Sequence, residues 1–303
     1  EQANYMPGPF AAADSIVTFF AQLIAPFPFE KLAHLQSSTQ FGGMENATEI
    51  FYSDEAFRRH TMNDGLISHE TAHQWFGDAV TERDWPDLWL SEGFATYFSA
   101  LWTEHARGDS AFREAMAGIR RRVLSDRRVA TRPVIDTTET NLMALLDANS
   151  YQKGGFVLHM LRRSLGDSAF FRGLRIYFHA HEYGNATSAD LEHALEQSSG
   201  RRLQAFFDQW LRRPGYPELT VTWAYDAAAR AVHLRVVQGD RFGYFHVPLT
   251  VELRDAAGHT ERATIDVDAL TETAATIPVT LASAPTTLVA DPDVSLLARL
   301  DVK

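Results

Sequence analysis

The sequence contains no cysteine among its 303 residues. Disulfide bonds, thiolate metal ligands and cysteine nucleophiles are therefore excluded, although this absence does not decide the compartment. An apolar run of membrane-spanning length is also missing, because the best candidate, residues 16–29, is interrupted by Gln22, Pro26 and Pro28. Basic residues are outnumbered, with 28 Lys and Arg against 39 Asp and Glu. We therefore expect neither nucleic acid nor an anionic membrane surface as a partner.

The length of the chain allows a large core divided between two domains. Before residue 215 the apolar spacing is mostly helical, and after it short alternating strands follow one another. The pattern predicts strands within residues 219–223, 232–237, 246–253, 263–267, 274–279 and 287–290. We therefore expect an α+β protein, with a mainly helical domain over residues 1–215 that carries a small edge sheet, and an all-β sandwich over residues 216–303.

The first residue, Glu1, is not an initiator methionine and no signal peptide follows it. This favours a processed protein or an excised fragment whose targeting signal lies outside the sequence. We expect a soluble protein; its location stays open, and a periplasmic or secreted one is compatible with a signal that has been removed.

The residues that carry chemistry are concentrated between positions 69 and 97. His69 and His73 are four residues apart on a predicted helix, so both imidazoles leave the same face and can bind one ion. Glu70 lies one step round the helix and can take a proton from water without being a ligand. Glu92, which follows after 18 intervening residues, supplies the third ligand that a catalytic zinc site needs. Ser91 is expected to cap the helix that begins there.

Apolar residues flank His69, Glu70 and His73, with Leu66 and Ile67 before them and Trp75 and Phe76 after them. The helix is therefore expected to be buried. Two histidines and two glutamates are costly to bury without a partner, and a metal ion is the simplest partner. We expect one Zn²⁺ per chain.

Two further segments fit a peptide-cleaving site. Gly42-Gly43-Met44-Glu45-Asn46 lies between two short predicted strands and is typical of an exposed sheet edge that receives a peptide by strand addition. Tyr151 precedes Gln152-Lys153-Gly154-Gly155, and its phenol can donate a hydrogen bond where negative charge develops. Taken alone, Glu45 would more simply be a turn residue facing water, and Tyr151 a packing residue.

Taken together, the Gly-Gly-Met-Glu-Asn segment, the HExxH motif, Glu92 and the Tyr-Gln-Lys-Gly segment resemble the aminopeptidase N family of gluzincin zinc metallo-aminopeptidases, which also includes leukotriene hydrolase. The resemblance implies a thermolysin-like catalytic domain followed by a small β domain. It also implies that Glu45 binds the free α-amine of the substrate, that the backbone of Gly42, Gly43 and Met44 lines the scissile bond, and that Tyr151 donates to the oxyanion. Asn46 completes the substrate-binding segment.

Two features depart from the family pattern. Asp78 stands where the family more commonly has Asn, which concerns the surroundings of the metal rather than its ligands. The large N-terminal β domain and the C-terminal helical domain of the family are not in this sequence. Further domains of the same protein could therefore lie on sequence outside these 303 residues.

The sequence thus predicts a zinc-dependent aminopeptidase that removes the N-terminal residue of peptides with a free N-terminus. The expected catalytic residues are Glu70 and Tyr151, and the expected metal ligands are His69, His73 and Glu92. A thermolysin-like endopeptidase is one alternative, and it would have no use for the amine anchor Glu45. A catalytically silent zinc-bearing module that binds peptides is another, although such a module would need neither Glu70 nor Tyr151.

Overall fold

The structure is a computed structural model that describes Tyr5 and residues 7–303. The chain separates into two compact units. The first contains the described residues up to Val123 together with Arg132–Arg213. The second contains Leu124–Thr131 and Pro214–Lys303. The predicted mixed architecture is confirmed, since helices dominate the first unit and strands the second. None of the helices in the described part of the chain has the length and apolar character that crossing a membrane requires.

Most of the helices belong to the first unit, and buried aromatic rings hold them together. Phe76 stacks on Phe94 with ring centroids 4.2 Å apart, and the Trp75 indole donates to the Ala25 carbonyl at 3.0 Å. Residues 109–131 form two helices, which are divided at Asp126. The helices are α1 (Ala13–Leu23), α2 (Asp54–Arg58), α3 (Asp64–His73), α4 (Trp89–Arg107), α5 (Asp109–Ser125), α6 (Arg127–Thr131), α7 (Gly154–Leu165), α8 (Asp167–His181), α9 (Ser188–Ser199) and α10 (Gln204–Leu211).

A small sheet lies beside these helices and contains β1 (Ala33–Ser37), β2 (Gly43–Met44) and β3 (Glu49–Ser53). β3 is central, parallel to β1 and antiparallel to β2, so β2 is an edge strand. A second parallel pair joins β4 (Val80–Glu82) to β5 (Gly184–Ala186). The edge sheet expected around the Gly-Gly segment is therefore present.

The strands of the second unit are β6 (Glu218–Asp226), β7 (Ala231–Gln238), β8 (Val247–Asp255), β9 (Thr260–Val267), β10 (Glu272–Pro278), β11 (Pro285–Ala290) and β12 (Arg299–Val302). They form two sheets, with strand orders β10-β7-β6-β12 and β11-β8-β9. More buried and less buried residues alternate along several of its strands, as in β7, where Val232, Leu234 and Val236 are buried. The strand β12, which pairs in parallel with β6, was not predicted.

Candidate active site and metal centre

Helix α3 holds the two histidines of the predicted metal site. Asn63 caps its start, with the side-chain oxygen accepting from the Leu66 N–H at 3.0 Å. His69 and His73 follow one turn apart, and their ring planes stand at 81° to each other. The Nε2 atoms of the two rings lie 3.3 Å apart. The local spacing alone therefore brings two ring nitrogens to one point.

Glu92, in the first turn of α4, completes a triangle with the two imidazoles. Its Oε2 atom lies 3.3 Å from His69 Nε2 and 3.4 Å from His73 Nε2. This oxygen is buried and has no hydrogen-bond partner among the described residues. Zinc–ligand bonds of about 2.0–2.1 Å place tetrahedral ligand atoms about 3.3–3.4 Å apart. The three side chains therefore fit a tetrahedral metal ion with one position left open.

The remaining ring nitrogen of His73 points away from the triangle. Its Nδ1 lies 3.2 Å from the Phe76 carbonyl oxygen and 3.0 Å from Ser91 Oγ. Because a carbonyl only accepts, Nδ1 carries the proton and Nε2 is left as a ligand atom. The prediction that Ser91 caps a helix is wrong: α4 begins at Trp89, and the Ser91 hydroxyl instead orients His73.

Glu70 points towards the edge strand rather than into the triangle. Its carboxylate fills the space that a Cβ at Gly43 would occupy, so helix α3 and strand β2 approach each other closely here. One carboxylate oxygen of Glu70, one of Glu45 and one ring nitrogen of His73 lie within 4.8 Å of one another. Burial raises the pKa of the Glu70 carboxyl, against the opposing effect of the two histidines. Glu70 and Glu45 thus stand together beside the candidate metal position.

Tyr151 approaches the triangle from a π-helical turn, Asn149–Lys153, that leads into α7. Its hydroxyl donates to Glu92 Oε1 at 2.6 Å, and its ring stacks on His69 at a centroid distance of 6.0 Å. Burial, together with the Glu92 carboxylate, raises the pKa of Tyr151. The phenol therefore keeps its proton and remains a hydrogen-bond donor.

Gln74 connects the zinc-motif helix to the substrate-binding segment, a role that sequence reasoning missed. The side chain is fully buried; it donates to the Glu45 carbonyl at 3.0 Å and to Asp78 at 2.8 Å. Its oxygen accepts from the Thr48 N–H at 2.8 Å, and Thr48 has a φ of 70°. These bonds hold a strained turn and fix where Glu45 lies.

The predicted site residues converge on one cavity of about 550 Å³. It is lined by Gly42, Gly43, Met44, Glu45, His69, Glu70, His73, Glu92 and Tyr151. Asn46 is not part of the lining; its carbonyl lies 3.5 Å from Gln74 Nε2. The lining also includes residues that sequence reasoning did not assign to the site, among them Glu82, Trp85, Leu88 and Met143. No spacing relative to the histidines marks them in the sequence.

Comparison with known proteins places this geometry in a family. The model of the peptidase family M1 domain matches residues 11–210. Tricorn protease-interacting factor F2 of Thermoplasma acidophilum is 32% identical over 266 residues, which is 80% of this chain and 33% of that protein. Aminopeptidase N of Lactococcus lactis subsp. lactis is 39% identical over 158 residues, covering 50% of this chain and 19% of that protein.

A solved structure has the same fold over nearly the whole chain. Aminopeptidase A of Legionella pneumophila, in complex with aspartic acid, matches with a TM-score of 0.77 at 19% identity, covering 97% of this chain and 34% of that one. The chain therefore spans about a third or less of the length of each of these proteins. Since the family model covers most of the first unit, this chain belongs to peptidase family M1.

Proposed function

We propose that the protein is a zinc-dependent aminopeptidase that hydrolyses the N-terminal residue from peptides. The observation that carries the proposal is the position of Glu45, whose carboxylate lies within 4.8 Å of ligand-type atoms of both Glu70 and His73. A carboxylate beside the cleavage position binds the cationic end of a peptide and so limits cleavage to the first residue. The aminopeptidase names of several relatives support the same function.

We propose His69, His73 and Glu92 as ligands of one zinc ion, because their three donor atoms have the separations of a tetrahedral site. Bound zinc lowers the pKa of a water molecule and polarises a carbonyl group. Mixed nitrogen and carboxylate donors with an open position are typical of zinc sites that catalyse hydrolysis.

The chain's own residues carry the remaining steps. Glu70 takes a proton from the attacking water and delivers it to the leaving amine. Tyr151, which donates to Glu92 in the structure, turns its hydroxyl to the carbonyl oxygen of the substrate and stabilises the negative charge that develops there. Glu45 holds the α-amine, while the backbone of edge strand β2 pairs with the extended peptide.

We further propose that residues 1–215 act as the catalytic domain and residues 216–303 as a β domain without catalytic residues. The partners proposed are peptides with a free N-terminus and further domains of the same protein. The relatives are longer than this chain, which supports additional domains.

Paired substrates test the function directly. Aminoacyl p-nitroanilides should be cleaved, cleavage should stop on chelation and return with zinc, and the same compounds with acetylated amines should resist, because Glu45 then has no cation to bind. Equal cleavage of both sets would contradict the proposal and indicate an endopeptidase. Zinc binding without any cleavage would instead favour a silent peptide-binding module.

A further inference from the structure

The cavity lining is strongly acidic. Five carboxylate residues line it, and among the described lining residues there is no lysine or arginine. The proposed function uses three of these carboxylates, those of Glu45, Glu70 and Glu92. Two remain without a role in the reaction, those of Asp78 and Glu82.

The two remaining carboxylates differ in their partners. Asp78 accepts a hydrogen bond from Gln74 at 2.8 Å, so its charge is partly satisfied. Glu82 forms no ion pair with any basic side chain in the part of the chain that the structure describes, and its carboxylate accepts from its own backbone N–H. Burial raises the pKa of Glu82 to about 7, with its own backbone N–H and His73 opposing the rise and Glu92 and Glu45 adding to it. A cation in the cavity would therefore interact favourably with Glu82.

Apolar groups stand next to this charge. Trp85 and Leu88 follow Glu82 along the chain and line the same cavity, as do Met143 and Leu146. Trp85 is 45% exposed. An apolar wall next to a carboxylate suits a side chain with a methylene stem and a cationic end.

In the proposed binding mode, the first side chain of the substrate enters the cavity that Glu82 lines. Its α-amine is held at Glu45 and its carbonyl at the metal centre, so the first side chain has to leave from the carbon between them into the rest of the cavity. We propose that Glu82 is a specificity-determining residue that selects peptides whose first residue is lysine or arginine. This inference rests on the proposed aminopeptidase function. A first residue with an acidic side chain would meet like charge and be rejected.

The test compares p-nitroanilides of lysine and norleucine, which share a methylene stem and differ in the terminal cation. The wild-type protein should favour lysine, and Glu82→Gln should lower the lysine-to-norleucine ratio of kcat/KM by about 10- to 100-fold, the loss expected for a hydrogen bond to a charged group. Glu82→Lys should shift the preference towards the p-nitroanilide of glutamate. If Glu82→Gln does not fold, Glu82→Met replaces it, with the same expected change in the ratio.

Asp84→Asn is the matched control. Asp84 lies two residues after Glu82, is exposed and does not line the cavity, and the substitution removes the same charge. The lysine-to-norleucine ratio of kcat/KM in this control should equal that of the wild type. A ratio unchanged in the Glu82 variants, or lowered equally in the control, would overturn the proposal.

Binding provides a readout that does not need turnover. Calorimetric titration of the zinc-loaded protein should show tighter binding of lysinamide than of norleucinamide, and Glu82→Gln should remove the difference. If no substrate is cleaved, the aminopeptidase function fails, and this difference still decides the role of Glu82. Calcium ions could also stimulate cleavage of the p-nitroanilide of glutamate. If they do and Glu82→Gln abolishes the stimulation, Glu82 holds a metal cation and the proposal is overturned.

Discussion

Tyr151 and Glu92 share a 2.6 Å hydrogen bond in which the phenol donates to Oε1, while the other carboxylate oxygen completes the triangle with the two histidines. One carboxylate thus connects the candidate metal position to the candidate oxyanion donor. The donor is held beside the site before a substrate arrives, and its hydroxyl exchanges the Glu92 acceptor for the substrate oxygen when charge develops.

Tyr151→Phe should lower kcat by about 10²- to 10³-fold, because one hydrogen bond to the oxyanion is lost. Zinc content and KM should change little, since the three ligand atoms stay in place. Steady-state kinetics and metal analysis of the purified variant check this. Loss of zinc in this variant would assign Tyr151 to the support of Glu92 instead.

Glu70→Gln should retain zinc and lower kcat by about 10²- to 10⁴-fold, the range that general acid–base catalysis contributes. The amide has a similar shape but cannot accept the proton from water. The measurement is kcat on a cleaved p-nitroanilide beside metal content, with Asp84→Asn as a variant that removes a carboxylate outside the cavity. Retained activity would remove Glu70 from the role of base.

Ser91→Ala should weaken zinc binding by about 10-fold, because the hydroxyl 3.0 Å from His73 Nδ1 is lost while the Phe76 carbonyl remains. Competition with a chromogenic chelator measures the affinity. Thr103→Ala, on the same helix, serves as the control, because the Thr103 hydroxyl donates to the Ser99 carbonyl. Equal affinities in both variants and the wild type would mean that Ser91 does not orient the ligand.

Gln74→Leu should raise KM for free-amine substrates by about 10-fold, with a smaller change in kcat. The turn that carries Glu45 loses its buried hydrogen bonds, so the amine anchor is no longer fixed. Thr81→Val is a nearby control, because the Thr81 hydroxyl bonds to the Gly77 and Asp78 carbonyls and not to the Glu45 turn. An equal loss of kcat and of kcat/KM would contradict a role in amine binding.

Lys153 makes stability depend on pH. The residue is fully buried and donates to the Arg213 carbonyl at 3.1 Å. Burial lowers its pKa from 10.5 to about 7, with Asp147 opposing the shift. Between these values the unfolded chain binds more protons than the folded one, so the free energy of unfolding rises with pH.

Lys153→Met should remove this rise. From pH 7 to 9 the wild type should gain about 2–3 kcal/mol more in the free energy of unfolding than the variant. Denaturant titrations at several pH values measure the difference, and parallel pH dependences of the two proteins would show that Lys153 is not the group responsible.

The features predicted correctly from the sequence are those that depend on neighbouring residues. The i, i+4 spacing of His69 and His73 determines where the imidazoles point, and alternation along β7 determines which side chains are buried. The mistakes involve contacts between distant segments. Ser91 has the composition of a helix cap, yet its hydroxyl is used by a histidine 18 residues earlier.

Contacts between distant segments also explain the features that the sequence analysis missed. β12 is short and mostly polar, and only its parallel pairing with β6 makes it a strand. Glu82 enters the cavity because a short strand carries it there from outside the zinc motif. Such positions depend on three-dimensional packing, which a single sequence does not reveal.

The π-helical turn that carries Tyr151 makes this segment sensitive to insertions and deletions. Successive residues of a helix differ by about 100° in direction, so adding or removing one residue between Asp147 and Gly154 would rotate the phenol away from Glu92. Helix α7 could still form, but the buried side chains of Asn149, Ser150 and Lys153 would also be displaced. Evolution can therefore exchange side chains in this turn far more easily than it can alter the number of residues, and a functional relative is expected to keep that number.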